Sequence, residues 1–152
     1  MAADPSHDVY IAADRLPWVD FSPGIAFQLL RASAETGEWT VIFRCDRGAS
    51  FASHRHLGAG EYLMLEGTME VRGGAAAGGV TARAGDYGYE PNGIVHDSTY
   101  FPEPSRFYFT NRGPVAFLDA AGRVTDVLDW RVLQEIYAKG AGLSAPRPGS
   151  AG

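Results

Sequence analysis

Gly48-Ala49-Ser50-Phe51-Ala52-Ser53-His54-Arg55-His56 runs from a turn residue into a strand that ends on two histidines one residue apart. On an extended chain residues i and i+2 face the same side, about 7 Å apart at Cα. His54 and His56 can therefore converge on one ion, while Arg55 between them must point outward. The companion stretch is Gly85-Asp86-Tyr87-Gly88-Tyr89-Glu90-Pro91-Asn92-Gly93-Ile94-Val95-His96, again punctuated by glycine and proline and again ending on histidine. His-x-His alone is a weak metal signal, because most histidines serve a surface or a core. The coincidence of spacings in the two stretches is what makes it strong.

Outward from these stretches the chain reads as short strands. Ile25–Leu30, Trp39–Arg44, Glu61–Leu65, Thr68–Arg72, Arg106–Thr110 and Val115–Leu118 are rich in Val, Ile, Phe, Tyr and Thr. Gly or Pro separates them, which is the pattern of an all-β sandwich or barrel. The sharpest hairpin signal is Leu65-Glu66-Gly67-Thr68, where Gly67 can supply a positive φ. The small-residue run Gly73–Gly79 lacks the Lys-Ser pattern of a phosphate loop and carries no chemistry. One helix is expected near the C-terminus. Asp129 caps it, Trp130, Leu133, Ile136 and Tyr137 share a face, and Gly140 ends it. The expected organisation is a single domain over residues 1–140 and a disordered Pro/Gly/Ser/Ala tail over 141–152.

Composition sets the outer bounds. The 152 residues carry a net charge of −5, so there is no basic surplus with which to bind nucleic acid. No apolar run approaches the length of a membrane span, and the N-terminus shows no secretory signal. A cytoplasmic protein is the expectation. The single cysteine, Cys45, excludes an intrachain disulfide and a Cys-based zinc site; it reads as a buried small hydrophobe. Of four histidines, His7 lies in a polar terminus and reads as a bystander.

The two histidine stretches resemble the paired signature motifs of the cupin superfamily, G-x5-H-x-H-x3/4-E-x6-G and G-x5-P-x-G-x2-H-x3-N. That resemblance implies a jelly-roll barrel, all-β apart from the short C-terminal helix, with one metal inside. Two departures stand out. Tyr100 replaces the final Asn, and only five residues separate Glu61 from Gly67. Counted back from Gly67, the metal-facing slot falls on Gly60. Because side chains alternate along a strand, Tyr62 then shares the inward face and Glu61 points away, leaving His54, His56 and His96 as the metal site. A bulge would restore Glu61.

A narrower resemblance covers Gly24 to Trp130. The stretches Ser50–His56, Gly60-Glu61-Tyr62 and Met69–Gly74 are similar to the acetylacetone-cleaving dioxygenase family, which includes dihydroxyacetophenone dioxygenase-like proteins. Further matches are Ala26–Leu30, Glu35-Thr36, Trp39-Thr40, Tyr100-Phe101-Pro102 and Gly113-Pro114. The resemblance implies a homo-oligomer, dimer or tetramer, with a three-histidine nonhaem iron(II) site. Its activity would be cleavage of a carbon–carbon bond of a small β-dicarbonyl or aryl hydroxyketone with dioxygen. Carried over by position, His54, His56 and His96 are the ligands, and Tyr62, Arg72, Glu90 and Thr99 are polar residues around the metal. Phe51 and Phe107 match the apolar wall of the substrate pocket, and Asn111 stands where the acetylacetone enzyme has phenylalanine.

The chemistry is coherent. Three neutral imidazoles leave a divalent ion its full charge and open positions, which suits a bidentate enolate monoanion; a carboxylate ligand would weaken that attraction. Glu90 reads as the group that holds a water or takes the enol proton. Two other classes fit the same histidines: a non-catalytic metal- or ligand-binding sensor module, and an oxygen-independent metal-dependent isomerase or lyase. Fold alone does not choose among them.

Overall fold

The computed structural model describes residues 8–142. In chain order the strands are β1 (Val19–Ser22), β2 (Ile25–Ala32), β3 (Trp39–Cys45), β4 (Ser50–Phe51), β5 (His54–His56), β6 (Gly60–Glu66) and β7 (Thr68–Val71). They continue with β8 (Val80–Arg83), β9 (Tyr87–Glu90), β10 (Val95–His96), β11 (Thr99–Tyr100), β12 (Ser105–Asn111), β13 (Val115–Leu118) and β14 (Val124–Leu128), and end in the helix α1 (Trp130–Gly140). All six strands expected from composition are present. Thr68–Arg72 stops short at Val71, because Arg72 has φ +51, a left-handed conformation that leaves the strand.

The architecture is an all-β cupin jelly roll with one C-terminal helix. It is built as three sheets, not as a single continuously hydrogen-bonded barrel. The six-stranded sheet has the order β1-β2-β3-β12-β6-β9; the four-stranded sheets are β10-β5-β13-β14 and β4-β11-β7-β8. The physical reason for the split is local. Residues 50–56 and 95–100 form one antiparallel ladder with unbroken register: Tyr100 faces Ser50, Thr99 faces Phe51, His96 faces His54 and Val95 faces Arg55. That ladder bends at Ala52-Ser53 opposite Asp97-Ser98, so its two halves join different sheets.

Alternation does the packing. On β3 and β12 the buried residues are Trp39, Val41, Phe43 and Cys45, and Ser105, Phe107, Phe109 and Asn111. The two strands pair in register from Ser105–Cys45 to Asn111–Trp39, so one face presents a continuous aromatic floor. Burial pushes the Cys45 thiol well above its ordinary pKa, with Asp46 adding to the effect, in keeping with an inert core position. Gly67 turns β6 into β7 with φ +78, as the hairpin signal requires.

α1 closes one side. Asp129 accepts a 2.9 Å hydrogen bond from the Val132 backbone N–H and caps the helix as expected. Leu133 is fully buried and Tyr137 nearly so, and the Tyr137 hydroxyl donates to the Pro17 carbonyl at 2.9 Å. Burying Leu133 stabilises this docking by roughly 1.5–3 kcal/mol. Ala141 and Gly142, assigned to the tail on sequence, still bond the last helical turn. The rest of the expected tail, and His7, lie outside the described residues. Among the described residues no helix is long and apolar enough to cross a membrane.

Candidate metal centre

The bent ladder delivers three histidines to one point. His54 and His56 share the inward face of β5, Arg55 is exposed, and His96 stands directly across from His54 on β10. All three are buried, their ring centroids lie 5.1–5.3 Å apart, and one nitrogen from each falls within 4.8 Å of the others.

Hydrogen bonds decide which nitrogens face inward. His54 Nδ1 lies 2.7 Å from the Ala52 carbonyl, which can only accept, so Nδ1 carries the proton and Nε2 the lone pair. His56 Nδ1 lies 2.9 Å from Asn111 Oδ1. The Asn111 amide nitrogen donates to the carbonyls of Gly113 at 2.6 Å and Pro114 at 3.4 Å, so the oxygen must face His56. His56 Nδ1 is therefore also the donor, and its Nε2 points at the cavity. Trp39 Nε1 donates to the same Gly113 carbonyl at 2.9 Å and anchors this chain of contacts.

Glu90 supplies the charge. Its Oε2 lies 2.9 Å from His56 Nε2 and 3.9 Å from His96 Nδ1, and its side chain is 11% exposed. The approach to His56 is close but lacks hydrogen-bond alignment, so His56 Nε2 is a buried polar atom without a hydrogen-bond partner. Burial would raise the Glu90 pKa, but its contact with His56 and the fields of His56, His96 and His54 outweigh burial and hold it below its ordinary value. Burial likewise opposes charge on His56, yet Glu90 and Asn111 raise its pKa overall. Burial pushes His54 down to about 4 and also lowers His96. At neutral pH these two rings are uncharged donors.

Such a donor set fits a divalent transition metal. Three imidazoles converge, two of them uncharged at neutral pH; two have their second nitrogen oriented by an oxygen acceptor, as metal-binding histidines require, and one converging nitrogen has no hydrogen-bond partner.

Gly60 explains the missing carboxylate. It is buried, and a Cβ there would sit 3.0 Å from both Asn111 Oδ1 and Phe109 Cζ. Its cross-strand neighbours are Asn111 on β12 and Glu90 on β9. Space that a side chain at position 60 would need is thus taken by Asn111, which reaches one nitrogen of His56, while Glu90 reaches the other. Glu61 points outward as alternation requires and meets Tyr87 Oη at 2.6 Å and Arg112 at 2.8 Å on the surface.

The cavity over the histidines is small and apolar, about 50 Å³. Phe51, Phe107, Phe109 and Phe117 line it, with Glu90 and Thr99 as its polar points. Thr99 Oγ1 is buried without a partner. Three sequence assignments change. Asn111 is not a pocket wall: it is wholly buried behind His56 and fixes that ring. Tyr62 is buried against Gly88 and Phe107 and does not line the cavity. Arg72 is exposed on the turn after β7, outside the cavity lining, although its charge helps lower the His96 pKa. The Asn111 role was missed because nothing local distinguishes it; only its burial parity with Phe107 and Phe109 hinted at an inward position.

These contacts are testable as a pair. Asn111→Leu should lower metal affinity by about 10–100-fold, the usual cost of losing a partner behind a ligand, whereas Glu61→Gln should leave it unchanged. Chelator competition measures both. Equal affinity in wild type and Asn111→Leu would show that His56 needs no such support; metal loss in Glu61→Gln would make Glu61 a ligand.

Fold and site together define a metal-binding cupin with three histidine donors. The chain belongs to the ChrR cupin-like domain family, whose sequence model matches residues 6–116. It is 50% identical over 111 residues to the acetylacetone-cleaving enzyme of Acinetobacter johnsonii, covering 73% of this chain and 72% of that one. The crystal structure of an acetylacetone dioxygenase from the same organism superposes with a TM-score of 0.82 at 41% identity, over 92% of this chain and 96% of that chain. An RmlC-like cupin protein from Ralstonia eutropha shares the fold, with a TM-score of 0.80 at 17% identity over 93% of each chain.

Proposed function

We propose that this protein is a nonhaem iron(II) dioxygenase, a single cupin domain that cleaves a carbon–carbon bond of a small β-dicarbonyl or aryl hydroxyketone. The carrying observation is the set of three buried imidazoles with Glu90 beside them in an apolar cavity. Its likeness to the acetylacetone-cleaving relative supports the substrate class.

His54, His56 and His96 would hold the ion. When bound, it supplies a cationic anchor for the two oxygens of an enolate and the redox chemistry that dioxygen requires. The chain's own residues do the rest. Glu90, ionised at neutral pH, accepts at Oε2 the proton that the dicarbonyl loses on becoming an enolate. Phe51, Phe107 and Phe109 exclude water, which strengthens every charge interaction inside. Thr99 Oγ1 offers an unused donor to a substrate oxygen. Asn111 and the Ala52 carbonyl keep two imidazoles in the donor tautomer.

We place the enzyme in the cytoplasm as a homo-oligomer, dimer or tetramer. In support of self-association, Leu63, Tyr87 and Tyr108 lie exposed side by side on the outer face of the six-stranded sheet.

The deciding experiment is an oxygen electrode. Iron-loaded protein supplied with β-diketones and aryl hydroxyketones should consume dioxygen only when substrate is present, one dioxygen per substrate cleaved, its two oxygen atoms ending in the two fragments, of which at least one is a carboxylic acid. Metal binding with no oxygen consumption on any dicarbonyl would favour the sensor module; turnover without oxygen would favour the isomerase or lyase.

A further inference from the structure

Behind His54 lies a second space. A cavity of about 230 Å³ sits between β1, β14 and α1. It shares four wall residues with the metal cavity, Phe21, Phe51, Phe117 and Leu128. Ala52, whose carbonyl holds His54 Nδ1, lines it too. The Phe51 and Phe117 rings lie 6.4 and 6.1 Å from the His54 ring. A shared wall of three phenylalanine rings and Leu128 therefore lies between this chamber and the metal cavity.

The two volumes differ in a telling way. The inner cavity is about 50 Å³, the smaller of the two. That space suits the dicarbonyl head and leaves little for two substituents. The outer chamber is more than four times larger, and its far wall is apolar, formed by Val132 and Ile136 of α1 with Val127 of β14. The Asp126 carboxylate at its edge is engaged by the Val127 backbone N–H at 2.9 Å.

We propose that the outer chamber binds one apolar substituent, alkyl or aryl, of the β-dicarbonyl whose head lies at the histidines. Chain length on that side is then read by α1 and β1, and the Phe117 ring, partly exposed on β13, is the partition through which the arm passes. The inference rests on the dicarbonyl reading given above.

Binding without turnover separates the two ideas. Zinc-loaded protein is titrated calorimetrically, without oxygen, with acetylacetone and with homologues in which one methyl is replaced by propyl or pentyl. Each methylene accepted by an apolar chamber should tighten binding about four-fold, so propyl should gain about fifteen-fold over methyl. Ile136→Phe on α1 and Ser22→Phe on β1 each place a ring in the chamber, and both should abolish the gain; far-UV circular dichroism checks that each is folded, and either alone suffices. Affinity that is flat across the wild-type series, or a gain that survives in a folded filled variant, overturns the chamber. Failure to bind any of the diones, acetylacetone included, overturns the dicarbonyl reading itself and the chamber with it.

Discussion

Alanine at any one of His54, His56 or His96 should leave the protein without metal. Each ring supplies one of three donors, and a divalent ion held by only two exposes extra coordination positions in a cavity lined mainly by apolar side chains. Among the described residues the cavity offers no further imidazole or thiolate to replace the lost one. Even losing a partner behind a ligand costs about 10–100-fold in affinity, so losing a ligand should exceed that. Metal analysis after reconstitution with iron(II) should find about one ion per chain in wild type and almost none in the variants, and oxygen consumption should vanish with the metal. Full occupancy in one variant would remove that residue from the ligand set. His56→Ala carries an additional penalty: Glu90 and Asn111 both lose the ring between them. That variant should also unfold at a lower temperature than His54→Ala.

Glu90→Gln should separate proton handling from metal binding. The substitution keeps the shape and a hydrogen-bonding group but removes the charge. Iron content should stay near wild type, because the three imidazoles remain. Turnover should fall by roughly 10²–10⁴-fold, the range for a positioned general base. The defect should shrink for a dicarbonyl acidic enough to be ionised in solution, since no proton then has to be taken. Stopped-flow absorbance of the enolate band, recorded without oxygen, reads that step directly. Slowing that is equal for acidic and weakly acidic substrates would make Glu90 a positioning group; unchanged kinetics would leave it no part in the reaction.

Much of this was legible in the chain itself, for identifiable reasons. Strand alternation has a period of two, so His54 and His56 had to share a face and Arg55 had to leave it. The same parity, counted from the Gly67 turn, sent Glu61 outward, and Glu61 does lie on the surface with Tyr87 and Arg112. The cap at Asp129 and the buried stripe of α1 are also local facts. These statements concern residues within one turn or one strand of each other, where backbone geometry alone decides direction.

What depends on distant strands could not be read so. Arg72 looked like a strand residue until the turn after Val71 gave it φ +51 and put it in solvent. Tyr62 had the correct parity, yet its ring packs over Gly88 of the neighbouring strand and stops short of the cavity. Asn111 looked like a pocket wall, but register sets it beside Gly60 with its amide on His56. Alternation along the chain determined which residues of this protein turn inward. Only the pairing of β6 with β9 and β12, and the bend of the histidine ladder between two sheets, decided what each inward residue meets, because the contacts of a side chain are set by strands far away in sequence.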